Sequence, residues 1–287
     1  MNSRSARAEA AREPWSGEAV AALAAECLAA EVDTWPKPGL VSHVDAGSHA
    51  DMDAGTFRRS AAAIRPHFAA LAEAGRAGAG MGRLRAIGVM AEVDMMEATG
   101  GVNTHRGAIF GLGLLCAAAG ARSEAFTRRP PVTLGSIVAS RWGADILCGP
   151  LPLRSHGASV RRLYRAGGAR LEAASGFRTL YGIGLPALAE GRRLASGDPD
   201  AARVHCCFAL IAALEDTNLL HRGGPDGLAF AQSTAATFLR HGGVGASDWR
   251  DRALAAHRAF VAHRLSPGGS ADLLAMTLFV EAWEARP

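Results

Sequence analysis

The sequence predicts an all-α protein: a single compact domain of about ten helices. Apolar residues recur three or four positions apart through most of the chain, the period of a helix with one buried face. No alternating run of six or more residues supports a strand. The composition is rich in alanine and glycine with only 6% aromatics, which favours closely packed helices over a sandwich built from Val, Ile, Thr and Tyr. The 287 residues suffice for one substantial core, and no linker is long enough to force a second domain.

The polar, mixed-charge residues 1–15 read as a frayed tail, leaving 16–287 as the single folded domain. A first helix follows Ser16, a good N-cap, and carries Val20, Leu23, Cys27, Leu28 and Val32. Pro36-Lys37-Pro38-Gly39 stops it, because two prolines forbid a regular helix. After a loop rich in Gly, Asp and His, a second helix starts at a Thr56 cap and runs to about Ala74 with a kink at Pro66. A third spans Arg83 to Ala98 and stops at Thr99-Gly100-Gly101. The fourth begins near Thr104 and is apolar nearly all round (Ile109, Phe110, Leu112, Leu114, Leu115), which places it in the middle of the domain. Beyond a basic connector, helices are expected over 133–147, 156–174, 178–195, 199–214, 226–240, 248–264 and 270–284.

Charge and motifs exclude several function classes. The balance of 31 Lys+Arg against 27 Asp+Glu is a small excess, and no run of five basic residues exists to follow a nucleic-acid backbone. Thirty of the 31 basic residues are arginine; the one lysine is Lys37. The longest charge-free stretch, Gly107 to Ala121, falls short of a membrane span. No secretory signal is visible, and five cysteines without metal spacing read as reduced, buried thiols of a cytoplasmic protein. GxSxG, HExxH, a His-Asp pair and a strand-borne GxGxxG are all absent.

Four polar segments break this texture, each at a helix boundary. In 36–53, Lys37 suits a phosphate and Asp51 or Asp53 a hard cation such as Mg²⁺, against the plainer reading of a turn whose aspartates cap the next helix. The pair His43 and His49 has no familiar zinc spacing. In 91–107, Glu92 precedes a Gly-Gly turn, and Asn103, Thr104, His105 and Arg106 open the fourth helix, where free N–H groups and an arginine fork suit an anion. In 213–227, Asp216 is a candidate metal carboxylate and Arg222 a phosphate contact, with capping chemistry as the alternative. The segments 167–177 and 265–275 each set a glycine pair before an acid, Glu172 and Asp272, and are weak signals alone.

Together these segments resemble the triphosphoribosyl-dephospho-CoA synthase family, of the CitG/MdcB type. The matching strings are PKPGLV, GSHADMD, AEVDMMEATGGVNTHRGAIFGLGLL, GARLEAASGF, EDTNLLHRGG and SPGGSADLLA, in family order across nearly the whole chain. The most specific is TGGVNTHRGAIF. The family often has Lys where Arg106 stands, and Asp or Arg where Ser42-His43 stand.

The resemblance implies an all-α, single-domain enzyme that transfers the triphosphoribosyl group of ATP to the 2′-hydroxyl of 3′-dephospho-CoA and releases adenine. The product is the precursor of a carrier-protein prosthetic group, passed to a carrier-protein-modifying transferase. The chain looks closer to the malonate decarboxylase branch than to that of citrate lyase, because no phosphoribosyl-dephospho-CoA transferase segment is fused to it. The implied chemistry assigns Asp51, Asp53, Glu92 and Asp216 to an acidic cluster that binds Mg²⁺ and supplies a base, and His105, with His49 second, to proton transfer. Lys37, Arg106 and Arg222 would counter the triphosphate, with Asn103, Thr104 and Asn218 beside them. A homo-oligomer is possible. The competing readings are an all-α Mg²⁺-dependent hydrolase of a nucleotide-type glycosidic bond and an inactive nucleotide-binding protein.

Overall fold

A computed structural model of the chain describes residues 16–122, 132–150, 163 and 167–285. The N-terminal tail, most of the basic connector and most of the first half of the helix expected over 156–174 lie outside the described residues. Eleven α-helices and no strand are present among the described residues. They are α1 (Gly17–Asp33), α2 (Ala54–Arg76), α3 (Met81–Ala98), α4 (Arg106–Arg122), α5 (Leu134–Cys148), α6 (Gly168–Ala174), α7 (Leu185–Leu194), α8 (Pro199–Ala213), α9 (Thr217–Arg240), α10 (Trp249–Ala262) and α11 (Gly268–Glu284). All contribute to a single hydrophobic core. No helix among the described residues is long and apolar enough to cross a membrane.

Helix α4 is the axis of the molecule. Every residue from Gly111 to Ala121 is buried, and α1, α2, α5 and α11 all pack on it. The approach of α2 is set by missing side chains: a Cβ at Gly75 would overlap the Ala117 carbonyl, and one at Gly120 the Ala72 carbonyl. Small residues at a crossing let two backbones close to a separation that larger side chains forbid.

The helix boundaries follow the capping residues. Ser16 accepts from Ala19 N at 3.2 Å, and Asp53 and Thr56 form a reciprocal capping box at the start of α2. Helix α3 ends at Gly100 and Gly101, both at positive φ, with Gly101 N donating back to Met96 O. Three boundaries differ from expectation. Helix α6 starts at Gly168, whose φ of 57 is outside the helical range, inside the helix expected over 156–174. Helix α9 starts at Thr217, nine residues before the expected 226, because the Asp216 carboxylate caps it; the predicted break survives as a kink at Gly224 (φ 61, ψ −162) before Pro225. The helix expected over 178–195 opens with a π-turn, Leu180–Gly184. Glu172 accepts from Thr179 N at 2.7 Å and its hydroxyl at 2.9 Å, so it holds this turn instead of a ligand. Four cysteines are buried as expected, and Cys148 is exposed. Burial pushes the Cys27 and Cys207 thiols up to about 12.

Adding a methyl group at the α2–α4 crossing should be costly. Gly75→Ala or Gly120→Ala is expected to lose about 1–3 kcal/mol from overpacking, read as a lower urea midpoint. Gly82→Ala, where a Cβ meets open space, should leave the midpoint unchanged or raise it.

Candidate active site

Three helix N-termini meet at one cavity of about 510 Å³. Residues 101–107 bring the start of α4; Asn218, His221 and Arg222 the first turns of α9; Gly268, Ala271 and Asp272 that of α11. The remaining wall comes from the end of α1 (Leu28, Glu31), the loop that follows it (Leu40, Val41, His49, Asp51, Met52) and Phe57 of α2. Each helix N-terminus presents the positive end of a dipole.

The loop is pinned from several directions. His257 Nδ1 lies 2.6 Å from Lys37 O and its Nε2 3.2 Å from Asp45. Ser48 Oγ donates to Leu265 O at 2.6 Å, and His49 Nε2 lies 2.9 Å from Ser266 Oγ. Gly39, at φ 66, passes so close to Leu265 O that no Cβ fits.

The basic residues play different parts. Lys37 is 0% exposed: its Nζ sits 2.5 Å from Glu31 Oε1 and 2.6 Å from Glu31 O, and it is not part of the cavity wall. Burial raises the Glu31 pKa, and Lys37 opposes that rise. Arg106 and Arg222 do line the cavity. Arg106 Nε pairs with Glu92 at 2.9 Å, while Arg222 donates to Ser48 O and Arg264 O and its Nη2 lies 3.2 Å from His49 Nδ1. Burial and the Arg222 charge hold His49 below its ordinary pKa. Asn103 accepts from Arg106 N at 3.3 Å, the start of α4.

The four acids expected to cluster do not come together. Asp51 alone lines the cavity, 62% exposed and 3.4 Å from His49. Glu92 is engaged by Arg106 outside the wall. Asp53 caps α2, and the hydrogen bonds from Thr56 hold its carboxyl below the usual range. Asp216, 1% exposed, ties α9 to α11: Oδ1 accepts from Asn218 N at 2.9 Å, and Oδ2 from Ser270 N at 2.9 Å and Ser270 Oγ at 3.1 Å. Burial pushes Asp216 up against the pull of these donors. Among the described residues no group of three His, Cys, Asp or Glu is placed to hold a metal ion. A magnesium ion carried on triphosphate oxygens needs only one or two protein carboxylates, and Asp51 fits that smaller demand.

Asp272 also lines the cavity. Its Oδ2 lies where a Cβ on Gly107 would stand, and Ala108 N–H donates to its carboxylate at the start of α4. Burial, then the negative charges of Glu31 and Asp216, push its pKa well up. The sequence flagged Asp272 only weakly, inside SPGGSADLLA; nothing marked Glu31 or Ser60.

His105 lies in the wall, 3% exposed, packed edge-on against Phe57 at 4.9 Å. Thr104 Oγ1 donates to Ser60 Oγ at 2.7 Å, and Ser60 Oγ lies 2.7 Å from His105 Nδ1. Ser60 Oγ can accept from Thr104 and donate to Nδ1, an arrangement that puts the ring hydrogen on Nε2. That Nε2 is buried without a partner. Burial lowers the imidazole pKa to about 3, so the ring is neutral at ordinary pH.

With this geometry in place, the comparisons with known proteins are specific. The family model for ATP:dephospho-CoA triphosphoribosyl transferase matches residues 17–286. A Pectobacterium atrosepticum protein named 2-(5''-triphosphoribosyl)-3'-dephosphocoenzyme-A synthase is 43% identical over 267 residues, 88% of this chain and 85% of that one. A Stutzerimonas stutzeri protein named "Probable 2-(5''-triphosphoribosyl)-3'-dephosphocoenzyme-A synthase" is 40% identical over 276 residues, 93% of this chain and 92% of that one. No solved structure matches. The chain belongs to the ATP:dephospho-CoA triphosphoribosyl transferase family.

Proposed function

We propose that this chain transfers the triphosphoribosyl group of ATP to the 2′-hydroxyl of 3′-dephospho-CoA with release of adenine, and that the cavity described above is where it does so. One observation carries the placement: three helix N-termini and two arginines converge on a cavity lined by a carboxylate of raised proton affinity. Positive helix ends with Arg106 and Arg222 suit a triphosphate. The carrier protein that receives the product is, on the resemblance alone, that of malonate decarboxylase.

In this reading the bond from ribose C1′ to adenine breaks and its electron pair leaves with the base. The 2′-oxygen of dephospho-CoA bonds to C1′; its proton passes to the carboxylate of Asp272 and from there through solvent to the departing base, so that adenine leaves neutral and Asp272 is ionised again. A carboxylate with a raised pKa is the better base near neutrality, and the negative charge around Glu31 and Asp272 favours the positive charge that develops on the sugar. His105 acts as a neutral Nε2–H donor to an acceptor atom of the substrate and not as an acid. Asp51 is the carboxylate that would hold a triphosphate-borne Mg²⁺, which would supply countercharge to the phosphates. Asp216 and Lys37 serve by holding the wall in place.

Adenine release from ATP is expected to require dephospho-CoA, and the product should have the mass of dephospho-CoA plus the triphosphoribosyl group. Adenine release without dephospho-CoA would identify a hydrolase, and ATP binding without turnover an inactive binder. Asp272→Asn should lower kcat by about 10²–10⁴-fold with a near-normal melting temperature; near-normal turnover would remove Asp272 as the base.

The His105 ring also predicts a pH dependence of stability. The unfolded chain takes up this proton below about 6.5, while the folded protein resists it until about 3. The contribution is therefore complete above 6.5 and is lost as pH falls from 6.5 toward 3, by up to about 1.4 kcal/mol per pH unit. Urea midpoints at pH 7 and pH 4.5 should fall further for the native chain than for His105→Asn. Equal falls would contradict a buried neutral ring.

A further inference from the structure

Helix α3 leaves one apolar face uncovered among the described residues. Val89, Met90 and Val93 are 54%, 54% and 52% exposed, and Gly82 and Ala86 extend the same stripe toward the N-terminus. Large aliphatic side chains grouped on one exposed helix face mark an interaction surface more often than scattered ones do.

The charges beside the stripe identify the partner. At 100° per residue, Arg83 and Asp94 lie on one flank of the stripe, and Arg85 and Glu92 on the other. The basic members sit in the N-terminal half and the acidic members in the C-terminal half. A second α3 in parallel would set like charges together. An antiparallel α3 related by a two-fold axis sets each flank against the same flank running the other way, so arginine meets acid on both sides. The midpoint of Arg83 and Asp94 and the midpoint of Arg85 and Glu92 are the same point on the helix, between Gly88 and Val89. One register therefore satisfies both flanks, and it brings Val89 against the second copy's Val89 near the axis.

We propose that α3 is the face through which two copies of this chain pair, antiparallel about a two-fold axis between Gly88 and Val89. The helix dipoles oppose favourably in this arrangement, and Gly82 and Ala86 leave room for Val93 and Met90 of the other copy. The acids have capacity for a further donor. Asp94 accepts from His67 at 2.6 Å and is 41% exposed, and Glu92 is 37% exposed beside Arg106. Arg85, which lies against Gly149 at the end of α5 in its own chain, turns across the axis in this arrangement to Glu92 of the second copy, a carboxylate that contacts Arg106 of the cavity wall. One helix pair lies at the small end of specific interfaces, so the dimer is reversible.

Sedimentation equilibrium of the full chain tests this. The native chain is expected to be a concentration-dependent dimer. Arg83→Glu and Asp94→Arg should each weaken association by at least about tenfold, equivalent to about 1.4 kcal/mol, and combining them should restore it, since the swapped charges meet again across the axis. Val89→Asp, an exposed change, should give monomers that melt where the native chain does at concentrations low enough for that chain to be monomeric too. A native chain that stays monomeric, a dimer insensitive to all three single changes, or a double variant that does not regain association would each overturn the pairing.

Discussion

The buried ion pair of Lys37 and Glu31 is the constraint on which the candidate site depends. An ammonium taken wholly out of water costs several kcal/mol unless an acceptor set replaces its hydration. Here the Glu31 carboxylate and the Glu31 carbonyl both accept from it. The pair closes the chain back on α1 immediately after that helix ends. From there Leu40, Val41 and His49 are delivered to the cavity wall, and His257 and Ser48 lock the return to α10 and α11. The one lysine in a chain of arginines thus occupies a fully buried place, its ammonium held by the carboxylate and the carbonyl of a single residue.

The same pair sets the electrostatics of the cavity. Glu31, Asp216 and Asp272 lie close enough for Glu31 and Asp216 both to raise the proton affinity of Asp272, while Lys37 opposes the rise of Glu31. Asp216 is stabilised by donors from α9 and α11, and Glu31 by Lys37. Asp272 has the Ala108 N–H and a face on the cavity. An interior acid left under-compensated at a helix N-terminus is how a fold moves a carboxyl toward neutral pH without a metal cage. The glycines matter here for what they leave out: Gly107 admits the Asp272 carboxylate, and Gly75 and Gly120 let α2 settle on α4 so that Ser60 reaches His105.

The helical architecture was legible because it rests on periodicity and punctuation, both local. The apolar circumference of α4, the Gly100-Gly101 stop and the break before Pro225 all survive in the structure. Of the candidate site, the sequence marked segments that the fold brings together, and said less about what each residue does there. The segments 36–53, 91–107, 213–227 and 265–275 do converge, and His49, Asp51, Asn103, Thr104, His105, Arg106, Asn218 and Arg222 line one cavity. The roles of Asp53 and Asp216 were ambiguous because the residue types that ligate cations also cap helices, and here they cap. Lys37 read as a phosphate contact because burial leaves no mark in sequence, and its partner Glu31 looks like any polar residue of an amphipathic helix. Asp272 was visible but weak, since its meeting with Gly107 depends on how α11 lies against α4.

The most direct measurement compares the stability and ATP affinity of Lys37→Met, Glu31→Gln and the double variant, by urea unfolding and calorimetry. A structural ion pair predicts that each single change loses about 3–5 kcal/mol by stranding a buried partner. The double change should recover most of that loss and bind ATP within a few-fold of the native chain. If Lys37→Met instead keeps native stability and loses ATP binding, and the double variant does the same, the lysine is a phosphate ligand and the buried pair is not what holds the site.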